Sequence, residues 1–582
     1  TAANALQDAG LDKQDNPRTG VMIGIAFDLN STGFSLRWPL PQQAKGWAVK
    51  LGRNLTETEL ADWTTRLRDS ISPALNANRT MGSLGNIVAS RIAREFKIGG
   101  PSFTLSSEES SGIRALETAV RMLQQHELDQ AVVGAVDLAG DLRAVLGQHA
   151  VRPFSATGQC RPFDSQADGT IIGEGACAFV LKRLADAEAD ANRIYAVIRG
   201  IGSSNGTLDT AYSNALQRAY QDSGIAPATV SLLEAAADAN PDQDRLEAEE
   251  LTRFFADSRS DAIPVGSVKG AIGHTGAVSG LASLLRGCLA LYQEIIPANS
   301  STETACPGLT KGPLQLVTSP RYWLRNREDG PRRAGVSVRG IDGSCSHVVL
   351  EGWDQQPATD AARRQAPLGP CQELLFPLVA NSSAELSAEL DLLQQRCRAT
   401  AGSGLGLAGL ASEYCSRITL QSVQPQGMAL VAADAEQLEQ LIEQGRQTLQ
   451  QDTELVEIPP ALRDRLFYSR EPLANQGRIA FVFPGSGNHY PAMARDLFCC
   501  WPGVLRHQDQ ENRWLKDQFQ PNLFWADTPQ EQLNDNHRAV IFGQVATGCG
   551  VSDLVRSFGI SPTSVIGYSL GESAALFSTR TW

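Results

Sequence analysis

The stretch Gly100-Pro-Ser-Phe-Thr-Leu-Ser-Ser-Glu-Glu-Ser-Ser-Gly-Ile-Arg-Ala-Leu (residues 100–116) decides the fold of the first 350 residues. It leads into a helix that is predicted over Gly112 to Gln125, because apolar residues recur there at helical spacing. Short apolar runs that suit buried strands lie on either side, at residues 21–26 and 131–136. Buried strands that alternate with helices predict a layered α/β domain with a mixed sheet.

Two strand pairs and two domain boundaries are expected further along. Residues 176–181 and 194–200 are predicted to pair antiparallel around a charged turn, and residues 336–338 and 348–350 flank a turn that contains glycine. A polar stretch rich in Pro, Ala and Arg then indicates a boundary after residue 353. Alternating strands and helices in residues 371–460 predict a small α+β unit. We therefore expect three domains, over residues 1–353, 354–475 and 476–582.

Composition excludes several classes of function. The chain has 582 residues, and its formal net charge of −13 repels phosphate, so binding to nucleic acid or to an anionic membrane is not expected. No apolar stretch is long enough to span a bilayer, and the first residues have no secretory leader. The eleven cysteines lack the spacing of a zinc site, so we expect free thiols in a reducing cytoplasm and no metal.

A nucleophile elbow is predicted near the end of the chain. The sequence Val565-Ile-Gly-Tyr-Ser-Leu-Gly-Glu-Ser-Ala-Ala-Leu indicates a strand, a Gly-x-Ser-x-Gly turn and a helix, which lifts the Ser569 hydroxyl onto a helix N-terminus. Upstream, a strand that begins at Ile479 runs into a second Gly-rich turn, Gly485-Ser486-Gly487. The backbone N–H of Leu570, with an N–H of this second turn, could hold an oxyanion.

A serine nucleophile needs a base, and the sequence leaves the identity of this base open. All seven histidines, at positions 126, 149, 274, 347, 489, 507 and 537, precede Ser569. The hydrolase order Ser…Asp…His is therefore not completed within these residues. Either an earlier histidine, such as His489, serves as the base, or the chain stops in the middle of a catalytic domain.

Two of these motifs resemble those of a known family. Residues 481–489, Phe-Val-Phe-Pro-Gly-Ser-Gly-Asn-His, resemble the FPGQGSQ opening of acyl-carrier-protein acyltransferases, and Gly-Tyr-Ser-Leu-Gly-Glu (567–572) resembles their GHSLGE. The resemblance implies the N-terminal part of an α/β-hydrolase-like acyltransferase domain. It implies that Ser569 takes an acyl group from coenzyme A, and that the N–H groups of Ser486 and Leu570 form the oxyanion hole.

The chain departs from this family pattern beside the nucleophile. Tyr568 stands where the family has His, and the alternatives that it packs structurally or narrows the acyl pocket stay open. In the family, the catalytic His and the Arg that pairs with a malonyl carboxylate lie downstream of the serine, so we expect both beyond Trp582. The acyl group that is transferred is not predicted for this reason.

The first 353 residues resemble thiolase-fold β-ketoacyl synthases, with the layers α/β/α/β/α. Four ordered motifs carry the resemblance: residues 100–116 to GPSLTVDTACSSSLVAL, residues 161–176 to RPFD…ADG…GEGA, residues 265–275 to GSVKxNIGH, and residues 335–351 to GVSSFGFGGTNAHVVLE. The first residues match a family helix that resembles EALEDAG, so we expect this domain to be N-terminally truncated.

The resemblance implies a fold without its condensation chemistry. Glu109 falls on the position of the nucleophilic Cys, and a carboxylate does not form a thioester. Ala236 falls on the first catalytic His, in a motif that usually reads EAHGTGT. Lys269 and His274 remain at the third site, either as a buried polar pair or with a residual ligand role. We therefore expect a catalytically degenerate ketosynthase.

The gating turn of the ketosynthase motif also differs. Arg339 and Ile341 stand where phenylalanines usually sit.

The order of ketosynthase-like domain, small linker domain and acyltransferase domain most resembles the PfaB-type subunits of bacterial polyunsaturated fatty acid synthases. The resemblance implies a cytoplasmic subunit that moves acyl groups from acyl-CoA to phosphopantetheine thiols on acyl carrier protein domains of partner subunits. No cofactor is expected to be bound by the chain itself. A homodimer, or a heterodimer with an active ketosynthase, is expected, with the strand after the nucleophile helix paired across the twofold axis.

Two other functions stay open. The chain could be a non-enzymatic scaffold for dimerisation and docking, like a chain-length factor. It could also be a polyketide synthase loading module, but such domains usually carry Gln at the nucleophile position and keep both histidines, so Glu109 and Ala236 disfavour it.

Overall fold

The computed structural model describes residues 1–11, 16–26, 37–71, 76–82, 84–138, 142–256, 262–299, 302–309, 312–369, 373–400, 406–418, 426–451, 458–470, 477–525 and 530–582. They form two compact units, one of residues 1–366 with 491–528 and one of residues 367–490 with 529–582. Residues 491–528, which the sequence assigned to the acyltransferase domain, thus pack in the first unit. The domain boundaries after residues 353 and 475 stay predictions.

The described strands are numbered in chain order. The first unit contains β1 Thr19–Ile25, β2 Ser102–Leu105, β3 Gln130–Asp137, β4 Gly175–Lys182, β5 Val197–Asn205, β6 Leu232–Glu234, β7 Ile263–Gly266, β8 Ile295–Ile296, β9 Leu314–Leu316, β10 Arg321–Tyr322, β11 Arg333–Arg339 and β12 Ser344–Glu351. The second unit contains β13 Leu374–Ala380, β14 Gln426–Ala432, β15 Leu466–Ser469, β16 Ala480–Phe483 and β17 Ser564–Gly567.

The helices complete each unit. Those of the first unit are Ala2–Asp8, Leu40–Lys50, Glu57–Ile71, Ala77–Gly82, Ile87–Glu95, Ser111–Gln124, Leu142–Val151, Leu184–Ala189, Leu208–Ser223, Pro241–Phe254, Lys269–Ile272, Ser279–Gln293, Ala358–Arg363, Arg495–Cys500, Pro502–Glu511, Leu515–Phe519 and Pro521–Phe524. Those of the second are Ser383–Thr400, Gly406–Arg417, Ala435–Leu449, Gln530–Asp535, His537–Ser557 and Leu570–Ser578. Among the described residues, no helix combines the length and apolar character that crossing a membrane requires.

Two sheets with buried helices between them form the body of the first unit. One sheet has the strand order β2-β1-β3-β4 and the other has the order β5-β12-β11-β6-β7-β9. The helices Ser111–Gln124 and Ser279–Gln293 share one apolar core with strands of both sheets, because their inward faces carry residues such as Leu116 and Leu281. Further helices cover the outer faces of both sheets. The predicted five-layer fold is confirmed.

The predicted pairing of residues 176–181 with residues 194–200 is wrong. The first segment lies in β4, which pairs antiparallel with β3, and the second leads into β5, which pairs antiparallel with β12. The helix Leu184–Ala189 separates them. Each strand is an edge of a different sheet, and apolar patterning alone does not reveal which sheet a strand joins.

The strand that follows the predicted nucleophile helix has no free edge. This strand, β3, is flanked by β1 on one side and β4 on the other, and all eight of its residues pair with β4. The expected pairing of this strand across a twofold axis is therefore wrong. Among the described strands of this sheet, β2 has one partner only, which is β1.

The second unit contains two small sheets. Strands β13, β14 and β15 form an antiparallel sheet, whose core includes Phe376, Leu390, Leu430 and Leu441 from the sheet and from the helices packed on it. The strands and helices predicted in residues 371–460 are present. The helix Gly406–Arg417 and strand β15 add to them. Strands β16 and β17 form a separate parallel pair against the helix Leu570–Ser578.

A buried carboxylate ties distant parts of the first unit together. Glu294 lies within ion-pair distance of Arg364 (3.1 Å), Arg506 (3.5 Å) and Arg332 (3.6 Å), and it accepts a hydrogen bond from Tyr322 Oη. Burial alone would raise the pKa of Glu294, but the three guanidinium groups outweigh it and lower this pKa to about 2. Because Arg506 belongs to the helix Pro502–Glu511, this cluster holds residues 491–528 on the ketosynthase-like body.

We predict that Glu294→Gln lowers the free energy of unfolding by about 3–5 kcal/mol at pH 7, because it leaves three buried cations without their anion. A carboxyl whose folded pKa is depressed contributes stability above its unfolded pKa and loses it as pH falls through the folded pKa. The difference between wild type and variant should therefore shrink from pH 5 toward pH 2, measured by denaturant unfolding.

A matched control is Glu328→Gln. Glu328 pairs with Arg513 at 3.4 Å, and its side chain is 49% exposed. This variant should cost less than about 0.5 kcal/mol. Equal losses for the two variants would contradict the role given to Glu294.

Candidate functional site

The chain makes a sharp turn at Ser569, between β17 and the helix Leu570–Ser578. Ser569 has φ 55° and ψ −117°, a backbone conformation that residues with a Cβ rarely adopt. Such strain persists only where the surrounding structure enforces it, and it concentrates at functional sites. The Ser569 side chain is exposed at the start of the helix. This is the geometry that the predicted nucleophile elbow requires.

Close backbone packing explains both glycines of the Gly-x-Ser-x-Gly motif. A Cβ on Gly567 would lie 2.2 Å from the carbonyl oxygen of Gly571. A Cβ on Gly571 would lie 2.2 Å from the carbonyl oxygen of Phe483, at the end of β16. Any larger residue at either position would push the helix away from the two strands, so the elbow depends on these glycines.

The second Gly-rich turn lies against the elbow. A Cβ on Gly485 would be 3.2 Å from the carbonyl oxygen of Tyr568, so the two backbones approach closely. Gln544 Nε2 and Asn488 Nδ2 donate to the Gly485 carbonyl oxygen at 2.5 and 2.9 Å and fix the turn. The Tyr568 side chain is 79% exposed, so it is not part of an apolar core of the described residues.

The two predicted oxyanion donors lie on these neighbouring turns. Leu570 is the first residue of its helix, so its N–H has no acceptor within the helix. Ser486 is exposed in the second turn. Their joint action on one oxygen stays a prediction.

One histidine lies in the segment that follows the second turn. His489 Nε2 is 2.8 Å from Asn534 Oδ1, which also accepts a hydrogen bond from Gln530 Nε2 at 3.2 Å. Because Asn534 Oδ1 is an acceptor, His489 Nε2 carries a proton, and the lone pair of a neutral ring lies on Nδ1. This nitrogen is buried and has no hydrogen-bond partner among the described residues. The role of His489 as the base stays a prediction.

The predicted degenerate ketosynthase site lies at the start of the central helix Ser111–Gln124. Glu109 is 6% exposed. Its Oε1 forms an ion pair with Arg152, and its Oε2 accepts the Ile341 N–H at 2.8 Å. The carboxylate therefore lies where a nucleophile is expected, but both of its oxygens are occupied.

The other three residues of this site lie close to Glu109 or to one another. Lys269 Nζ donates to the Ala236 carbonyl oxygen at 2.6 Å. His274 Nδ1 accepts the Gly276 N–H at 3.3 Å, and its Nε2 is 3.9 Å from Glu109 Oε1. Burial, with Lys269 and Arg152 nearby, lowers the pKa of His274 well below its ordinary value, so the ring is neutral. Burial also lowers the pKa of Lys269.

Two family models match the first unit. The N-terminal domain of β-ketoacyl synthase matches residues 1–187, and the C-terminal domain matches residues 195–303. Residues 1–303 belong to the β-ketoacyl synthase family.

Relatives of the whole chain come from large synthases. The spectinabilin polyketide synthase system protein NorA of Streptomyces orinoci is 28% identical over 600 residues, which are 99% of this chain and 28% of that protein. A polyunsaturated fatty acid synthase subunit from a Thraustochytrium species is 27% identical over 620 residues, 99% of this chain and 22% of that protein. The chain thus spans about a quarter of the length of these relatives.

A solved structure has the same fold. The ketosynthase from module 6 of the bacillaene synthase from Bacillus subtilis 168 superposes with a TM-score of 0.50 at 23% identity. The match covers 77% of this chain and 69% of that chain.

Sequence reasoning missed two charged residues of the ketosynthase site. Arg152 pairs with Glu109 across 43 positions of the chain, and Asp238 is 3.0 Å from Arg152 Nε. A buried carboxylate requires a cation, so Glu109 signalled that a partner exists. Nothing in the spacing of the sequence identifies which of its many arginines takes that place.

We predict that Ser569→Gly raises the free energy of unfolding by about 1 kcal/mol over Ser569→Ala. The glycine relieves a strain of about 1–3 kcal/mol, and its greater freedom in the unfolded chain removes about 0.5–1 kcal/mol of this gain. Alanine keeps the Cβ and hence the strain. Denaturant unfolding of both variants measures the difference, and equal stabilities would mean that the turn is not strained.

Proposed function

We propose that this chain is a PfaB-type acyltransferase subunit of a polyunsaturated fatty acid synthase. Ser569 carries acyl groups from acyl-CoA to the phosphopantetheine thiol of acyl carrier protein domains on partner subunits. The observation that carries this proposal is the strained elbow at Ser569, packed against a second turn with backbone N–H groups. The similarity to a polyunsaturated fatty acid synthase subunit over 99% of the chain supports the setting. All cysteines that the structure describes are free, which suits a reducing cytoplasm.

The reaction takes place in two transfers. The Ser569 hydroxyl attacks the thioester carbonyl of acyl-CoA, its proton passes to a base, and the N–H groups of Ser486 and Leu570 stabilise the resulting oxyanion. The C–S bond breaks, CoA leaves as the protonated thiol, and an ester remains on Ser569. The carrier thiol attacks this ester, and the serine regains its proton. Within this chain, His489 is the proposed base, because Asn534 fixes its Nε2 proton and leaves Nδ1 free to accept another.

The ketosynthase domain does not condense in this proposal. The carboxylate of Glu109 cannot form the acyl thioester that condensation begins with. Ala236 has no imidazole, so one of the two donors for decarboxylation is missing. Lys269 and His274 then act as a buried polar pair that supports the site.

We predict a covalent acyl adduct on Ser569. Incubation with a panel of acyl-CoAs, followed by intact-protein mass spectrometry, should give one adduct that Ser569→Ala abolishes. The mass of the adduct identifies the preferred acyl group. No adduct with any acyl-CoA would favour the scaffold function over the acyltransferase.

Two variants of Ser486 test the oxyanion hole. Ser486→Ala should acylate at the wild-type rate, because the proposed donor is the backbone N–H. Ser486→Pro lacks this N–H and should acylate about 100–1,000-fold more slowly. Equal rates for the two variants would remove Ser486 from the oxyanion hole.

We also propose that the chain dimerises through the free edge of β2. Val21 N–H donates to the Pro101 carbonyl oxygen, so the alternation of a parallel ladder directs the N–H and C=O groups of Ser102 and Thr104 away from β1. A groove lined by Thr104–Ser107, Arg114 and Met122 adjoins this edge. A second copy would continue the sheet and fill the groove.

Thr104→Pro tests this interface, because proline removes an outward N–H and leaves the pairing with β1 intact. We expect wild type to sediment as a dimer at micromolar concentration and the variant as a monomer with an unchanged melting temperature. A dimeric variant would contradict the β2 interface. A wild-type monomer that dimerises only with a ketosynthase subunit would indicate the heterodimer instead.

A further inference from the structure

A chain of alternating buried charges crosses the ketosynthase site. Beyond its ion pair with Glu109, Arg152 places Nε 3.0 Å from Asp238 Oδ2. The other oxygen of Asp238 is 3.8 Å from Arg339 Nη2. Each of these four side chains is less than a tenth exposed. Two anions and two cations thus alternate from the start of the central helix to the end of β11.

This chain of charges ends on both sides of the turn between β11 and β12. Arg339 is the last residue of β11, and the Ile341 N–H, two residues further, donates to Glu109 Oε2. On the far side of the turn, Ser344 Oγ is 2.8 Å from Ser110 Oγ, beside Glu109. Three points of the turn are therefore bound to the site. A Cβ on Gly340 would lie only 3.4 Å from Glu109 Oε2, so the turn lies directly on the carboxylate.

We propose that the Glu109–Arg152 ion pair is an internal latch that holds the turn of residues 340–343 closed over the ketosynthase site. The latch keeps Lys269 and His274, which are both buried, out of contact with solvent and with acyl chains. Glu109 thus has a function of its own, which is to close the site permanently. This function concerns the first unit alone and holds whatever reaction Ser569 performs.

Burial makes the latch strong. Ions in a low-dielectric interior attract one another strongly, and opening the turn would separate Glu109 from the Ile341 N–H and draw Arg339 away from Asp238. Removal of one member of such a network leaves the others as uncompensated buried charges. The turn should then open far more often, because the closed state has lost the interactions that made it favourable.

Cys160 is a natural reporter of this opening. Its side chain is 1% exposed, and Sγ is 3.8 Å from the Asp238 carbonyl oxygen, so it lies beside the chain of charges. Cys288 is similarly buried, but it belongs to the core between the two sheets. A local opening at the latch exposes Cys160 and leaves Cys288 protected, whereas loss of stability throughout the domain exposes both.

The test is iodoacetamide labelling of the native full chain, with each cysteine followed by peptide mass spectrometry. Glu109→Ala should raise the labelling rate of Cys160 at least tenfold and leave that of Cys288 unchanged. Glu109→Gln keeps an acceptor for the Ile341 N–H but loses the charge, so it should give a smaller rise.

Arg152→Lys provides a second variant if Glu109→Ala does not fold. It keeps a positive charge near Glu109, but a single ammonium group cannot span both carboxylates as a guanidinium does, so it should also raise the labelling rate of Cys160. An unchanged rate at Cys160 in every folded variant would overturn the latch. Equal acceleration at Cys160 and Cys288 would overturn it too, because Glu109 would then stabilise the whole domain rather than the turn.

Discussion

Carboxylates inside the first unit must each be neutralised, and this requirement determines which parts of the chain meet there. An ionised carboxylate that leaves water loses several kcal/mol of hydration, and only nearby cations and hydrogen-bond donors restore it. Glu109 is neutralised by Arg152, and Glu294 by three arginines from separate parts of the chain. In the first case a reactive position becomes a support for a turn. In the second, a segment remote in sequence becomes part of the core.

The elbow in the second unit depends on a steric constraint rather than on charge. Strands β16 and β17 and the helix after Ser569 approach so closely that Gly567 and Gly571 leave no room for a Cβ. That close approach forces Ser569 into its strained conformation and brings the two turns together. The sequence motif is therefore a direct record of backbone contacts, which is why a pentapeptide with a strand before it and a helix after it could identify the site.

The sequence predicted what depends on local pattern. The central helix, the strands on either side of it and the elbow follow from apolar spacing and from glycines, and the structure contains all of them. It did not predict partners that are distant in the chain. The pairing of β4 with β3 rather than β5 depends on which sheet each edge joins, and β3 proved to have no free edge. Arg152 escaped notice because a charge 43 residues from Glu109 has no signature in spacing.

The contact between Glu294 and Arg506 bears on how such proteins can be recombined. A module cut after residue 366 would contain Glu294, Arg332 and Arg364 but would leave Arg506 behind, and with it Asp509, which pairs with Arg325. The smallest portable piece of this ketosynthase body is therefore discontinuous, residues 1–366 together with 491–528. Exchange of the linker or of the elbow between related synthases would have to preserve a segment that lies between the two turns of the elbow. Domain shuffling in this architecture is constrained by buried charges as well as by linkers.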